Sequence, residues 1–223
     1  MDSHRLGAAL PRVIGWLNRT NARHPWSHND RLHRWIARRL PDRRRSVLDV
    51  GCGQGLLAWR LSHRFGRVLA IDVDAPQVAA TAARCADRPN VTARVASFAE
   101  VDGTFDGITM VAVLHHLDLE DALPRIRRLL APGGRLFVIG LARSETRIDL
   151  AWDLLSSVTN PLIGVILHPR PVRDPPSGDP FPTKDPDVTL SELRAAFARH
   201  LPGARFRRRL GFRHTIEWTA PAR

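Results

Sequence analysis

The chain is organised around the stretch Val47-Leu48-Asp49-Val50-Gly51-Cys52-Gly53-Gln54-Gly55. Mainly apolar, β-prone residues lead into three glycines spaced two apart, which predicts a buried strand that ends in a tight turn free of bulky side chains. Residues 56–65 can form a helix whose first N–H groups point back at this turn. A strand, a glycine turn and a helix in this order are typical of a nucleotide-binding element.

Strands and helices alternate along the following residues. We predict four further strands, at residues 68–73, 91–95, 105–113 and 135–141. A helix capped by Asp74 should bury an apolar face of Val78, Ala79, Ala82, Ala83 and Ala86. Residues 204–210 and 213–219 predict an antiparallel hairpin at the end of the chain. The fold class is therefore α/β, with a Rossmann-like doubly wound sheet that is mostly parallel, helices on both faces and an antiparallel C-terminal hairpin.

Two segments flank or interrupt this pattern. We assign residues 1–45 to an N-terminal helical extension and residues 46–223 to the main domain. In the extension, Ser27 or Asn29 can cap a helix that ends near Leu40. The main domain contains a lid-like insertion at about residues 145–188, with a helix near 148–158 and then a proline-dense stretch without apolar periodicity.

The charge balance bears on the kind of partner. The 223 residues carry a formal net charge of +12, almost wholly from arginine, because Lys184 is the only lysine. Such usage is what a GC-rich genome produces, and only Arg43-Arg44-Arg45 and Arg207-Arg208-Arg209 form clusters. Neither cluster is interleaved with several aromatic residues, so we do not expect a nucleic-acid partner.

The cysteines and the hydropathy bear on the compartment. Cys52 and Cys85 have no metal-ligand spacing and no disulfide framework, so we expect no metal site and a cytoplasmic location. The first 20 residues contain three arginines and no uninterrupted apolar core, and residues 158–167 are too few to cross a bilayer. We therefore expect neither a signal peptide nor a membrane span.

The glycine turn also restricts the nucleotide. A dinucleotide fingerprint needs a glycine three residues after its second glycine, where this chain has Leu56. Asp49 stands where a dinucleotide enzyme places pyrophosphate, and a carboxylate there repels a phosphate and attracts a cation. A dehydrogenase is thereby disfavoured. The turn favours a nucleoside-like ligand with a positive group.

These motifs resemble the class I S-adenosylmethionine-dependent methyltransferases, of the small-molecule type similar to ubiquinone/menaquinone C-methyltransferases. The resemblance runs from about Trp26 to the C terminus and implies S-adenosyl-L-methionine as cofactor. It implies that Asp72 accepts hydrogen bonds from both ribose hydroxyls and that Val73 lies beside the adenine. The residues implied to surround the methionine part are Asp49, Gly51, Gly53 and Gly55.

Two later motifs extend the resemblance. Ser97 stands where the family commonly has an acid that meets the adenine amino group, so Ser97 and Phe98 are implied adenine neighbours. The motif after the fourth strand begins at Val113, which is implied to contact the cofactor, and contains His115 and His116. An imidazole can take a proton from a hydroxyl or phenol, which makes His116 the candidate base. The alternative is that His116 is a structural histidine at the turn.

The acceptor side of the site is less determined. His28, Asn29, His115 and Trp152 are implied to line the substrate side, and the apolar lid suggests a hydrophobic or aromatic metabolite. We expect a monomer or homodimer that methylates such a small molecule, with O-methylation preferred over C- or N-methylation. Two alternatives remain: an RNA methyltransferase, and a partner subunit that binds the cofactor without catalysis.

Overall fold

The structure, a computed structural model, describes residues 28–143, 145–167, 170, 187–210 and 213–222. These residues belong to two compact units. The larger contains the β-sheet, and the described part of the smaller is mainly one long helix; each is described separately below.

Strands and helices alternate as the sequence predicts. The described strands are β1 (Ser46–Val50), β2 (Arg67–Asp72), β3 (Val91–Val95), β4 (Phe105–Val111), β5 (Leu130–Gly140), β6 (Arg205–Arg209) and β7 (Arg213–Thr219). The α-helices are α1 (His28–Ala37), α2 (Leu56–Ser62), α3 (Ala75–Arg84), α4 (Leu119–Leu129), α5 (Arg147–Leu167) and α6 (Leu190–His200). Short 3-10 helices, Phe98–Glu100 and Leu114–His116, follow β3 and β4.

The strands form one twisted sheet in the order β3-β2-β1-β4-β5-β7-β6. β1 pairs in parallel with both β2 and β4, and β4 pairs in parallel with β5, whereas β7 runs antiparallel to β5. This arrangement confirms the predicted fold class. The chain order reverses between β1 and β4, and in open α/β sheets ligands bind in the crevice outside the carboxyl ends of the strands at such a point.

Both faces of the sheet are buried, as a near-continuous apolar β4 predicts. Leu48 and Val50 of β1 point into one hydrophobic cluster, which includes apolar residues of α4 and α6. Val47 points into a second cluster, which includes apolar residues of α1 and α2. Because side chains alternate along a strand, Asp49 shares the face of Val47. A carboxylate is thus placed inside a covered sheet.

Some boundaries differ from the predictions. α1 begins at His28, so Asn29 lies in its first turn and is not its cap. α2 ends at Ser62, three residues before the predicted end. The predicted face of α3 is wrong beyond Val78, because Thr81 and Cys85 are buried there while most of the alanines are exposed. Alanine is too small to mark the buried face by itself.

The smaller unit contains α5, which is longer than the predicted helix. Its start is fixed by Asp149, whose Oδ2 accepts from the backbone N–H of Thr146 at 2.8 Å and from its hydroxyl at 2.8 Å. The helix continues through Pro161 and Gly164 and ends at Leu167, well past the predicted end near residue 158. Among the helices of the described residues, none is long and apolar enough to cross a bilayer.

Candidate active site

The three glycines of the turn each have positive φ, at 67°, 52° and 77° for Gly51, Gly53 and Gly55. A Cβ at Gly51 would collide with the side chain of Val113, and one at Gly55 would lie 2.8 Å from the Cα of Thr81. At Gly53, by contrast, a Cβ would meet nothing within 4 Å. Two glycines therefore allow close packing of the protein against itself, and the middle one faces open space that a ligand can enter.

Helix α3 holds the turn in place. The Thr81 hydroxyl, fully buried, donates to the carbonyl of Gly53 at 2.7 Å, and the Arg84 Nε donates to the carbonyl of Gln54 at 2.7 Å. The N–H of Cys52 donates to the carbonyl of Ile71 at 2.9 Å, which continues the β1–β2 pairing into the turn. The turn is thus supported from two sides.

Asp49 is a buried carboxylate with one unsatisfied oxygen. It is 2% exposed, and its Oδ1 accepts from the hydroxyl of Thr109 on β4 at 2.7 Å. Its Oδ2 is buried and has no hydrogen-bond partner among the described residues. Burial, with the negative charge of Asp72 as a lesser cause, raises the pKa of Asp49 to about 7. A cationic ligand would supply the missing partner.

Asp72 lies at the carboxyl end of β2, beside the glycine turn. Its Oδ2 accepts from the backbone N–H of Gly53 at 3.0 Å, and its Oδ1 accepts from that of Asp74 at 3.1 Å. Each carboxylate oxygen has a second lone pair for further donors. Val73 follows directly and is 73% exposed, an unusual state for a valine at the end of a buried strand.

Ser97 and Phe98 are engaged within the protein. Ser97 caps the first short 3-10 helix together with Glu100, whose Oε2 accepts from the Ser97 N–H at 2.6 Å. The Phe98 side chain is buried in the core, and its carbonyl accepts from the Arg125 Nε at 2.9 Å. Any contact of Phe98 with a ligand would therefore come from its backbone.

The residues after β4 adopt a strained conformation. Ala112 has φ of 56°, and it is the only non-glycine residue with positive φ among the described residues. Its N–H still donates to the carbonyl of Ile139 at 2.7 Å, so the strain occurs within the β4–β5 pairing. This turn directs Val113 onto Gly51 and starts the short helix that carries His115 and His116.

The two adjacent histidines differ in environment. His116 is exposed, whereas His115 is half-buried, with 4.0 Å between the ring centroids. His115 lines a small pocket, with room for about one water molecule, together with His214 of β7 and Gly140 at the end of β5. The rest of the lining is apolar: Leu114, Leu119, Leu141, Val188 and Leu193.

Several predicted site residues are not joined to this constellation. The side chains of His28 and Asn29 lie outside the described residues. Trp152 is half-buried in α5 of the smaller unit. Among the described residues, no group of three or more His, Cys, Asp or Glu side chains is placed to hold a metal ion.

Comparison with known proteins decides the family. A family profile described as a methyltransferase domain matches residues 48–138. An uncharacterized methyltransferase of Mycobacterium tuberculosis is 35% identical over 204 residues, which cover 88% of this chain and 98% of the relative. The chain belongs to the class I S-adenosylmethionine-dependent methyltransferases.

Two further comparisons show more distant similarity of this methyltransferase to known proteins. The ubiquinone biosynthesis O-methyltransferase of Xanthomonas oryzae is 36% identical over 124 residues, which cover 52% of either chain. The crystal structure of magnesium protoporphyrin IX methyltransferase from Synechocystis PCC 6803 with bound SAH has a TM-score of 0.55 at 18% identity. The superposition covers 86% of this chain and 81% of the other chain, and it shows that the two share a fold.

The site of the methyltransferase fits its cofactor, S-adenosyl-L-methionine. The unsatisfied Oδ2 of Asp49 suits the ammonium of the methionine part, and the space at Gly53 admits that part beside bare backbone. Asp72 would have lone pairs left for the ribose hydroxyls, and the exposed Val73 would offer an apolar surface to the adenine. The residue roles that the resemblance implies stay predictions, and these features of the structure support them.

Sequence reasoning missed three residues of the methyltransferase. Thr109 carries a hydroxyl in the apolar part of β4, and its registry with Asp49 places that hydroxyl where it donates to the carboxylate. Thr81 supports the turn from α3. His214, Ile216 and Trp218 are every second residue of β7, and all three are buried. This period-two pattern predicts from the sequence that the side chain of His214 points inward.

Proposed function

We propose that this methyltransferase O-methylates a small, apolar or aromatic metabolite that carries a hydroxyl group. The observation that carries the proposal is the continuity of Val113 with the pocket. Val113 packs on the glycine turn, and the next two residues, Leu114 and His115, line the pocket with apolar neighbours. An acceptor bound at the mouth of this small pocket, beside Val113, would lie close to the cofactor turn, in surroundings that favour an apolar molecule.

The cofactor, when bound, supplies a methyl group on a positively charged sulfur. In the proposed reaction the acceptor oxygen attacks the methyl carbon, an O–C bond forms, and the C–S bond breaks with its electrons left on sulfur. The acceptor proton must leave, and we assign His116 to take it, because its exposed imidazole can pass the proton to water. Positioning of the two reactants accounts for much of the remaining rate enhancement.

The function is tested by transfer of labelled methyl groups from S-adenosyl-L-methionine to acceptors of similar size and different nucleophile. Substituted phenols, primary amines and 1,3-diketones report on O-, N- and C-methylation. We expect labelled ether products from the phenols, with the other two classes at least about tenfold slower. Transfer confined to amines or carbon acids would refute O-methylation.

His116 is tested in the same assay with His116→Gln. We expect turnover to fall by about 10²-fold with unchanged affinity for S-adenosylhomocysteine, because loss of a general base affects the chemical step. The matched control is His63→Gln, which changes an exposed histidine at the end of α2. Equal turnover in wild type and His116→Gln would assign His116 a structural role.

The alternatives receive less support from the described residues. In the cluster Arg43-Arg44-Arg45, Arg43 is bound to Asp106 at 2.7 Å and Arg44 Nε donates to the carbonyl of Pro41 at 2.8 Å. Two members of this cluster thus have partners within the protein, which weakens the case for an RNA-binding surface. A non-catalytic subunit would bind S-adenosylhomocysteine and transfer methyl groups to none of the three acceptor classes.

A further inference from the structure

One buried nitrogen at the wall of the small pocket beside His115 has no partner within the described part of the chain. His214 is 5% exposed, and its Nε2 is buried and makes no hydrogen bond to the described residues. An unsatisfied buried nitrogen costs free energy unless another group completes its hydrogen bond. Neither the cofactor residues nor the proposed methyl transfer uses this nitrogen. Its partner has to be sought in the pocket.

The backbone fixes the position of this nitrogen. Gly140 and His214 face each other in the antiparallel β5–β7 registry. A Cβ at residue 140 would lie only 2.6 Å from Nε2 of His214, so the imidazole occupies space that any larger residue at 140 would take. A glycine opposite the histidine thus leaves room for the imidazole, and Nε2 stays at the pocket wall.

The size and the lining of the pocket select its occupant. The pocket has room for about one water molecule, which excludes an organic ligand. A buried water needs about two to four polar partners. Nε2 of His214 supplies one, the imidazole of His115 lines the same space, and Gly140, which has no side chain, borders it with its main chain. Water is the molecule that fits this volume and uses these polar groups.

The charges around the pocket disfavour an ion in place of water. Burial lowers the pKa of His214 to about 4, and positive charge at Arg213, His115 and Arg194 acts in the same direction. The ring is therefore neutral at pH 7, with one nitrogen that donates and one that accepts a hydrogen bond. The neighbouring positive charges also repel a cation. An anion would be desolvated against a lining that is mostly leucine.

His115 connects the pocket to the assigned base. His115 and His116 belong to one short 3-10 helix, and their ring centroids are 4.0 Å apart. A water between His214 and His115 would restrict the His115 ring, and that ring limits the positions open to the adjacent His116 ring. Small displacements of a reacting group lower the rate steeply. The occupant of the pocket therefore bears on proton transfer.

We propose that the pocket binds one structural water molecule, that this water joins Nε2 of His214 to the imidazole of His115, and that His214 is thereby a positioning residue for His116. The inference rests on the proposed function, because it concerns the group assigned to take the acceptor proton. It extends that function to β7, which carries none of the cofactor residues. In this arrangement His214 acts through the water and His115.

The water is tested in a crystal structure of the full chain with S-adenosylhomocysteine, at a resolution that shows ordered water. We expect one water within about 3.2 Å of both Nε2 of His214 and a ring nitrogen of His115. In crystals of His214→Leu the water should be absent, because it loses a partner in an apolar site. A dry pocket in the wild type, or a water that contacts His214 and not His115, would overturn the proposal.

The positioning role is tested by methyl transfer to a phenol. We expect His214→Leu to lower kcat about tenfold and to leave KM and the affinity for S-adenosylhomocysteine unchanged, since only the geometry of proton transfer is altered. His214→Gln, whose amide can bond to the same water, should recover much of the loss, which a role in packing alone would not give. The control, His63→Leu at an exposed histidine, should behave as wild type.

The fold should tolerate the leucine, because it removes an unpaired polar atom from an apolar site. Denaturant unfolding checks this for each variant. Wild-type kcat in folded His214→Leu, or equal kcat in the leucine and glutamine variants, would overturn the positioning role. The wild-type crystal structure tests the water without any variant.

This inference and the proposed function can fail separately. If a phenol is methylated with the same kcat by wild type and by His214→Leu, then O-methylation stands and the positioning role of His214 is wrong. If only amines or carbon acids are methylated, then O-methylation is wrong. The variants are then compared with that acceptor, and the crystal structure still decides whether the water is bound.

Discussion

Two buried aspartates at opposite ends of the parallel sheet have opposite environments. Asp106, at the amino end of β4, is 4% exposed and accepts from Arg43 Nε at 2.7 Å and from the N–H groups of Arg45 and Ser46 at 2.7 and 3.2 Å. Asp49, at the carboxyl end of β1, is 2% exposed and has one oxygen without a partner. The protein supplies the hydrogen bonds of Asp106, whereas one oxygen of Asp49 has no partner among the described residues.

The pKa values of the two groups express this difference. Burial by itself would raise the pKa of Asp106, but the hydrogen bonds from Arg43 and from the backbone of Ser46 and Arg45 outweigh it and lower that pKa. At Asp49 the single bond from Thr109 does not offset burial, and the pKa rises to about 7. The amino end of the sheet is therefore built for stability. At the carboxyl end, the incompletely paired Asp49 lowers the stability of the fold and leaves an oxygen that a cationic ligand could bind.

The largest effect is expected from Asp106→Ala. This change leaves the Arg43 guanidinium and two backbone N–H groups without their acceptor, so we expect a loss of about 3–4 kcal/mol in the free energy of unfolding at pH 7. Denaturant unfolding measures it. The matched control is Asp102→Ala, because Asp102 is 98% exposed and its ion pair with Arg125 spans 3.7 Å. Equal stability of the two variants would remove the structural role of Asp106.

The next effect separates stability from binding at Asp49. Asp49→Asn keeps the shape and removes the charge, so affinity for S-adenosylhomocysteine should fall about 10²-fold, close to 2.7 kcal/mol. The same variant should be more stable than wild type at pH 8, since the ligand-free protein no longer buries an incompletely paired charge. Calorimetry and denaturant unfolding measure the two quantities. A variant that loses both affinity and stability would make Asp49 a structural acid like Asp106.

A smaller effect is expected from pH alone. Since the folded pKa of Asp49 is about 7 against 3.8 for an unperturbed group, the folded protein binds the extra proton between these values. The contribution of Asp49 to stability therefore falls as pH rises from about 4 to 7. Affinity for the cofactor should change in the opposite direction and drop about tenfold from pH 8 to pH 6, because the ammonium needs the carboxylate.

Asp49→Asn is also the control for the pH effect. Calorimetric titrations across the same pH range should give an affinity for S-adenosylhomocysteine that is nearly flat in this variant, since the titrating group is gone. A wild-type affinity that does not change between pH 6 and pH 8 would show that Asp49 is ionised without the cofactor. The orphaned Oδ2 would then need a partner that the described residues do not contain.

The fold was more predictable than the candidate site. Apolar runs of strand length and the acids that follow them located the parallel strands, because these signals are local. The length of α5 was not predictable, since Pro161 and Gly164 are read as helix breakers and the helix nevertheless continues through them. The buried face of α3 depends on Thr81, whose role appears only when the glycine turn is packed against it.

The positions of the candidate site residues were predictable where a local sequence pattern marks them and unpredictable where two distant residues must meet. Asp49, Asp72 and the glycines follow from strand ends and spacing. The Thr109–Asp49 contact depends on the registry of β1 with β4, and the position of His214 depends on the registry of β5 with β7. Both are long-range pairings that a single sequence does not specify.

The smallest expected effect also tests the unsatisfied end of the sheet. Ala112 has φ of 56°, a conformation that costs an L-residue about 1–2 kcal/mol and a glycine almost nothing. Ala112→Gly should therefore raise the free energy of unfolding by about 0.5–1 kcal/mol, after the larger backbone entropy of glycine is subtracted. The control is Ala79→Gly on the exposed side of α3, where the same change should lower stability by about 1 kcal/mol. Opposite signs would show that strain is concentrated where β4 meets the cofactor turn, whereas two destabilised variants would leave Asp49 as the main destabilising feature at that end.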